Sequence, residues 1–270
     1  VRGGEGSTAG ETFVSSAGLV FHWCPPGQFT MGSEKAGTAA TRDRKPVQVE
    51  ITKGFWMGEC EVTQREYNLV MRKNPPAGFT LHRNAPFWGV SERKQIDEFC
   101  KKLTELDRKA GRLADGWQYA CPTEAEWEYA CRAGSKSAYH FGDTITELGR
   151  HANFADKSLS DQNANYYWAE TRCDDGVGEA LAPVGSYLPN AWGLRDMHGN
   201  VAELVADHHS PELPGGEDPL FRVGKDGRAV IRGGAWCSLP EYCEASFRNS
   251  PPPGSKLNYV GFRVALKRSE

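Results

Sequence analysis

Apolar and polar residues alternate only over short stretches near the start of this chain. Residues 18–31 read GLVFHWCPPGQFTM and predict two short strands on either side of a Pro-Pro-Gly turn. Within residues 46–62, Val47, Val49 and Ile51 alternate with other residues, which is typical of a half-buried strand. The first part of the chain is therefore expected to contribute short strands.

Two stretches that follow carry the start and stop signals of helices. Thr63 and Glu66 form a capping box for a short helix that runs through Met71. A second helix is expected to have Ser91 as its cap and to end at Gly111. Its apolar positions keep helical spacing: Ile96, Phe99, Cys100, Leu103 and Leu106.

The stretch PTEAEWEYACRAG gives a strong local signal for a third helix. Thr123 is predicted to cap it, Glu126 closes a capping box, and Gly134 ends it. Carboxylates at positions 124, 126 and 128 raise the alternative of acid–base chemistry. Helix capping is the simpler interpretation, because two of them lie in the first turn, where the helix dipole favours negative charge.

From Gly134 to Gly193 the chain has almost no periodicity and is rich in Gly, Asn, Asp and aromatic residues. A run of this length is usually functional, or is stabilised by something other than a sheet, such as a bound ion. Residues 153–154 and 174–177 contain oxygen donors that hard cations bind, and residues 196–203 have carboxylates at both ends of a Gly-containing turn. Calcium sites and solvated turns are both compatible with this pattern.

Length and composition favour one domain of irregular α+β structure. The chain has 270 residues, of which 39% are hydrophobic and 25% charged, as in globular proteins. Its 30 Gly and 16 Pro indicate much loop and few long helices. Residues 1–17 are expected to form a flexible N-terminal tail, and residues 18–270 the domain.

Charge and hydropathy argue against two classes of partner. The formal net charge is −3 and Lys and Arg are scattered, so the basic surface that binds nucleic acid or anionic membranes is missing. No apolar run approaches about 18 residues, so no transmembrane segment is expected. The first residues lack the features of a signal peptide, although a removed segment stays possible. A secreted or cell-surface location is favoured over a cytoplasmic one, with the compartment otherwise open.

The eight cysteines are many for a cytosolic protein and few for a disulfide scaffold. The chain has no CxxC and no His-x-x-x-His arrangement, so a structural zinc site is not predicted. It also has no Ser-His-Asp or P-loop signature. We interpret His198, His208 and His209 as turn and surface residues rather than ligands.

Six motifs occur in order along the chain: GQFTMGS, CEVTQREY, PTEAEWEYACRAG, NAWGLRDMHGNVAEL, VIRGGAW and GFRVA. Together they resemble the formylglycine-generating enzyme, or sulfatase-modifying factor, family across residues 18–267. The resemblance implies a single C-type-lectin-like domain of the formylglycine-generating-enzyme type. Such a domain has small twisted antiparallel sheets, few helices and much irregular loop, which agrees with the α+β class.

The resemblance also implies structural calcium, held by two sets of oxygen donors. The first implied set is Asn153, Phe154, Asp175 and Val177, with the second and fourth residues acting through their carbonyl groups. The second implied set is Asp196, Gly199, Val201 and Glu203. Ala202 and Leu204 stand where the family usually has tryptophans, which affects packing more than ligation.

Catalysis in the resembled enzymes uses two cysteines that bind copper, where oxygen chemistry converts a substrate cysteine to formylglycine. Cys237 and Cys243 are the candidates here, because soft thiolates select Cu(I). They lie one residue further apart than the family's pair, and the stretch from Gly234 to Arg248 is shorter, with Pro240 at the second cysteine's place. Copper- and oxygen-dependent oxidation of a sulfatase cysteine is therefore the alternative function, and it requires that the two sulfurs converge.

Another branch of this fold fits the C-terminal loop differently. In variable proteins of diversity-generating retroelements, which resemble this family, the corresponding segment is rewritten at selected positions. The loop between Arg232 and Gly261 offers aromatic, Ser and Asn residues suited to an adaptable binding surface. The expected binding residues are Trp236, Cys237, Ser238, Leu239, Tyr242, Phe247, Ser250, Leu257, Asn258 and Tyr259. An ordinary loop that only packs remains the plain alternative.

The leading hypothesis is a noncatalytic or weakly catalytic module that binds a protein or peptide ligand through this loop. Trp88 and Trp168 are further candidate contacts, and a monomer is expected. A protein ligand is favoured over a sugar because the implied calcium ligands serve the structure. By resemblance, a disulfide between Cys131 and Cys243 is also expected.

Overall fold

The computed structural model describes residues 2–34, 44–72, 84–223, 227–252, 254–255 and 257–269. Within these residues, twelve strands form three sheets. In chain order the strands are β1 (Thr12–Val14), β2 (Val20–Cys24), β3 (Gly27–Met31), β4 (Val47–Ile51), β5 (Phe55–Gly58), β6 (Trp117–Ala120), β7 (Ala202–His208), β8 (Gly216–Glu217), β9 (Ala229–Arg232), β10 (Arg248–Asn249), β11 (Val260–Gly261) and β12 (Ala265–Arg268).

The sheets are small and mostly antiparallel, as predicted. The five-stranded sheet has the order β1-β2-β5-β12-β6, the four-stranded sheet the order β10-β9-β7-β11, and the three-stranded sheet the order β3-β4-β8. Two pairings are parallel, that of β4 with β8 and that of β7 with β11. The predicted strands on either side of the Pro-Pro-Gly turn join different sheets rather than pairing with each other.

Four α-helices lie in the described residues: α1 (Gln64–Met71), α2 (Arg93–Lys109), α3 (Glu124–Arg132) and α4 (Lys157–Gln162). The capping boxes at Thr63 and Thr123 are both present, because each threonine hydroxyl accepts from the third residue, whose carboxylate accepts in return. The expected Ser91 cap of α2 is wrong. Glu92 is the cap, and the Gln95 side chain accepts from its backbone N–H. None of these helices is long and apolar enough to cross a membrane.

The largest hydrophobic core lies between the five-stranded sheet and helices α1 and α2. Trp56 and Phe99 are fully buried in it, and the Phe262 ring meets the Phe99 ring edge-on at 5.2 Å between centroids. A second core cluster surrounds Trp127 on α3 and reaches β3, β4 and β7. Helix α3 therefore packs between the two smaller sheets, and its buried side faces the C-terminal loop.

The expected flexible tail does not hold for residues 2–17. Phe13 on β1 is buried in the main core, and β1 forms the edge of the five-stranded sheet. The Gly3 N–H donates to the Arg112 carbonyl at 2.7 Å, and the Trp56 indole donates to the Gly4 carbonyl at 2.6 Å. This segment is ordered because Phe13 is buried in the core and because its backbone groups form hydrogen bonds with the rest of the domain.

The aperiodic run after α3 contains little regular structure beyond α4 and two 3₁₀ turns, at Ile145–Arg150 and Ala164–Tyr166. Side chains bind its main chain instead. Asn190, for example, donates to the Ala130 carbonyl at 2.8 Å and accepts from the Leu194 N–H at 3.0 Å. Buried polar side chains thus replace a strand ladder as the scaffold of this region.

Candidate functional site

The C-terminal loop leaves β9 through a Gly-Gly turn that only glycine can form. Gly233 and Gly234 have φ angles of +88° and +72°, in the left-handed region. A Cβ atom at Gly234 would lie 2.7 Å from the Cys243 sulfur and 2.8 Å from the Tyr242 carbonyl oxygen. The loop therefore packs directly on its own beginning, and it returns as β10, where Arg248 pairs with Arg232.

A cavity of about 480 Å³ opens beside this loop. Six of the ten predicted binding residues line it, and we call them the loop face: Cys237, Ser238, Tyr242, Phe247, Ser250 and Tyr259. The Tyr242 and Phe247 rings lie 4.8 Å apart between centroids and form one wall. The structure thus brings together residues that are spread over more than twenty positions of the sequence.

The other four predicted binding residues lie elsewhere. Trp236 packs 6.1 Å from Tyr166, and Leu239 caps the 3₁₀ turn Pro240–Cys243. Leu257 packs against the main core and lines a neighbouring cavity, and Asn258 is exposed. Among the lining residues that the sequence did not predict as binding residues are His209, Arg228 and Asn249.

An aromatic surface lies next to Trp236. Tyr166 contacts both Trp236 and Trp168, with 5.4 Å between the Tyr166 and Trp168 ring centroids. Trp168 is 41% exposed and Tyr167 is 84% exposed, which is high for aromatic side chains. The predicted contact Trp88 is half-buried and does not line the loop-face cavity.

Both ends of the loop are fixed to α3 by buried ion pairs. We call this set the anchor network: Glu124, Glu128, Arg232 and Arg248. Arg248 donates to both Glu124 oxygens, at 2.8 and 2.6 Å. Arg232 donates to Glu124 at 3.2 Å and to Glu128 at 2.5 Å. The capping interpretation of these two glutamates was incomplete, because their side chains hold the loop ends.

The eight cysteines are reduced, so the expected Cys131–Cys243 disulfide is wrong. His198 lies between these two residues. One ring nitrogen is 2.7 Å from the Cys243 carbonyl oxygen and the other is 3.9 Å from the Cys131 sulfur. His198 is fully buried, so its interpretation as a surface residue was also wrong.

Three histidines stack beneath the loop. The ring centroid of His140 lies 5.1 Å from that of His198 and 4.9 Å from that of His151. Burial, and next the neighbouring imidazoles, lower the pKa of His140 to about 2. Burial lowers the pKa of His198 to about 4. This stack is therefore neutral at physiological pH.

The two loop cysteines do not have the surroundings of a thiolate pair. Cys243 is fully buried and Cys237 is half-buried, and burial raises the pKa of both thiols. Cys237, Glu241 and Glu244 raise the pKa of Cys243 further. Copper(I) binds thiolates, which cationic neighbours stabilise, and these side chains supply none. Burial and the proximity of the two sulfurs therefore favour the protonated thiols in the metal-free chain.

In the first implied calcium set, the Val177 N–H already donates to the Asp175 carboxylate at 2.8 Å. Asn153 donates to Asn200 at 3.2 Å, and its own side-chain oxygen is buried without a partner. The Asp175 carboxylate accepts from Ser158, from the Val177 N–H and from Tyr187. Asn153 therefore has an open oxygen for a cation, whereas donors already surround Asp175.

The second implied set has an open oxygen at Asp196 but not at Glu203, which Arg263 occupies. Glu61 adds a further carboxyl group beside Asp196. We call the residues around it the acid cluster: Glu61, Asp196, Glu203 and Arg263. Arg263 donates to both Glu203 oxygens, at distances of 2.6 to 2.9 Å. One oxygen of Asp196 and one of Glu61 are buried without a hydrogen-bond partner.

The charges of the acid cluster also indicate that it suits a cation. Three buried carboxyl groups face one buried guanidinium, so two negative charges lack a counter-charge among the described residues when all are ionised. Burial raises the pKa of Asp196 and Glu61, and the neighbouring Asp196 and Glu203 raise that of Glu61 further. No group of three His, Cys, Asp or Glu side chains in the described residues is placed to hold a metal ion by itself, so carbonyl oxygens would have to complete any cation site.

The sequence did not identify Glu61 as a candidate ligand, because its motif, CEVTQREY, indicates a strand end and a helix cap. Only the fold brings it to the turn at Asp196. Asn200 links the two implied sets, since it accepts from Asn153 and donates to Glu61 at 3.1 Å.

Comparison with known proteins places the chain in a family. The profile of the sulfatase-modifying factor enzyme 1-like domain matches residues 15–268. A formylglycine-generating enzyme of Thermomonospora curvata is 33% identical over 157 residues, which cover 53% of this chain and 48% of that enzyme. The chain spans about half the length of such curated relatives.

Two solved structures share the fold over nearly the whole chain. PvdO from Pseudomonas aeruginosa has a TM-score of 0.78 at 24% identity, over 97% of this chain and 100% of that one. Treponema denticola variable protein 1 has a TM-score of 0.71 at 23% identity, over 94% of this chain and 98% of that one. These likenesses confirm the predicted fold class, and at such identities they show the fold alone.

Proposed function

Since the chain belongs to the sulfatase-modifying factor enzyme 1-like family, we propose that it is a binding module of that family. Its loop face receives a protein or peptide ligand. The observation that carries this proposal is the cavity of about 480 Å³, which six loop residues line between two anchored loop ends.

The chemistry of the cavity supports a peptide ligand. Its volume falls within the roughly 300–1,000 Å³ of ordinary ligand pockets. Tyr and Phe supply large rigid contact area, and Ser and Asn supply adaptable hydrogen bonds, as in antibody paratopes. The exposed Tyr167 and Trp168 extend the contact area beyond the cavity, which suits a ligand longer than one side chain.

The proposal includes a more specific part, which is that the amino-acid sequence of the loop varies. Arg232 and Arg248 are buried and paired, whereas Cys237, Ser238 and Tyr242 are half-buried. Substitutions between the anchors would therefore change the surface without moving the loop ends. A second, nearly identical copy of the coding segment beside a reverse-transcriptase gene would support diversification, and a genome without one would remove it.

Calcium stabilisation of the scaffold also belongs to this proposal. The unpartnered oxygens of Glu61 and Asp196 fit a hard divalent cation, with the carbonyl groups of Gly199 and Val201 as the further ligands that the family resemblance implies. A bound calcium ion would supply the positive charge that these carboxylates lack. The chain's own residues would then hold the turn at residues 196–203 beneath the loop.

A peptide selection tests the binding function. A phage-displayed library of random 12-residue peptides is selected on the whole chain, and the recovered peptides are titrated by fluorescence anisotropy. Tyr242→Ser and Tyr259→Ser are expected to weaken binding about tenfold or more, because each removes an aromatic wall. Leu69→Ser, which changes an exposed apolar residue on α1, is the matched control and is expected to change nothing.

Thermal melting of each variant verifies that the fold persists. Peptides that bind the two tyrosine variants as tightly as the parent, or a selection that yields no binder, would show that the loop face is not a peptide-binding surface.

A further inference from the structure

The charged side chains around the loop-face cavity are all of one sign. Arg228, Arg232 and Arg248 line it together with His209, and its described lining residues include no Asp or Glu. Such a one-sided arrangement selects the charge of a partner more than it adds affinity.

Arg228 differs from the other two arginines. Arg232 and Arg248 are buried, and the carboxylates of the anchor network neutralise their charges. Arg228 is exposed at the edge of the cavity, and its guanidinium donates to the Ser250 carbonyl. No carboxylate of the described residues pairs with it. Since a guanidinium has five N–H donors, most of those of Arg228 remain available to a ligand.

Apolar surface lies next to this charge. Tyr242, Phe247 and Tyr259 line the same cavity, and the half-buried Cys237 packs against the main core beside them. A ligand that pairs with Arg228 therefore places the neighbouring part of its chain against aromatic rings. The cavity is suited to a carboxylate next to an apolar side chain.

We propose that the loop face recognises an acidic peptide, in which an Asp or Glu carboxylate pairs with Arg228 and an adjacent apolar side chain packs against Tyr242 and Phe247. This inference rests on the proposed binding function and names the chemistry of its ligand. The planar guanidinium can donate two parallel hydrogen bonds to one carboxylate, a geometry that lysine does not reproduce.

The test uses the peptides recovered from the random 12-residue library and their single Asp→Asn or Glu→Gln counterparts. Arg228→Gln is expected to weaken binding of the acidic peptide about 5- to 20-fold and to leave its amide counterpart unchanged, which is the coupling that a double-mutant cycle isolates. Arg228→Lys is expected to recover only part of the loss. Binding of the acidic peptide is also expected to weaken as salt increases.

Arg112→Gln is the matched control. Arg112 is likewise exposed and donates to a main-chain carbonyl, that of Val14 at 3.0 Å, but it lies outside the cavity lining. It carries the same charge, so a general electrostatic effect would appear equally in both variants.

The outcomes separate the two proposals. Peptides that depend on Tyr242 and Tyr259, lack enriched Asp or Glu, and bind Arg228→Gln normally would overturn the acidic-peptide inference and leave the binding function intact. A selection without any loop-dependent peptide would overturn both. Equal losses for Arg228→Gln and Arg112→Gln would show nonspecific attraction and likewise contradict the inference.

Discussion

The anchor network and the acid cluster are two buried groups of charged residues, and they differ in how their carboxylates are compensated. In the anchor network, every oxygen of Glu124 and Glu128 accepts from an arginine or a backbone N–H. In the acid cluster, Arg263 satisfies Glu203, while Glu61 and Asp196 each keep one buried oxygen without a partner.

The difference shows which buried carboxylates the chain itself neutralises. A buried charge is tolerated when it is paired and hydrogen-bonded, and it is costly otherwise. The chain itself provides the pairing that fixes the C-terminal loop, whereas the turn beneath the loop needs a cation or a proton from outside. The loop face is thus held by contacts within the chain, whereas the turn beneath it depends on an added cation or proton.

The largest expected effect comes from breaking the anchor network. Glu124→Gln leaves Arg248 and Arg232 short of a buried counter-charge, so the free energy of unfolding should fall by about 3–5 kcal/mol. Urea denaturation measures this change. Glu147→Gln is the matched control, because its pair with Arg150 is exposed and should contribute under about 1 kcal/mol. Equal effects of the two substitutions would show that the network is not the anchor.

Calcium should affect the acid cluster next most strongly. At a hundredfold excess over its dissociation constant, calcium should raise the free energy of unfolding by about 2.7 kcal/mol, and chelation should reverse the gain. Glu61→Gln and Asp196→Asn should each reduce this response, because each removes a charged donor, whereas the exposed Asp161→Asn should not. Thermal melting with and without calcium is the measurement. An identical melting temperature under both conditions would mean that a proton, and not calcium, lies between the two carboxyl groups.

The effect expected to be smallest at neutral pH concerns the neutral histidines His140 and His198. Because the pKa of His140 is about 2 in the folded state, below the unfolded value of 6.5, the unfolded state binds the proton first as pH falls. Stability should therefore be full above pH 6.5 and fall below it by up to about 1.4 kcal/mol per pH unit. His140→Gln should make this decline shallower and leave the slope above pH 7 unchanged. Parallel pH profiles of the parent and the variant, from urea denaturation, would contradict the assignment.

Much of the local structure could be predicted because its causes lie within a few residues. The capping boxes at Thr63 and Thr123 depend on a residue and the one three positions later, and both are present. The same local reasoning failed at residues 2–17, since the edge pairing of β1 and the burial of Phe13 depend on β2 and the distant β5 and β12.

The candidate site was predicted only in part, for a related reason. Six of the predicted loop residues share a cavity, but Arg228 and His209 come from outside the loop and had no sequence signal. The fold adds Glu61 to the implied cation site. The motif that contains Glu61 indicated only a strand end and a helix cap. The Cys131 and Cys243 thiols are free, and His198 contacts both residues, which no spacing in the sequence reveals.

The sequence by itself determined the family and the capped starts of α1 and α3, because motif order and short-range backbone preferences depend on adjacent residues. The tertiary structure alone decided which loop residues face one cavity and which charges find partners. Burial and electrostatic pairing depend on distances in space between segments far apart in the chain, and only the folded arrangement of β7, β9 and α3 sets those distances.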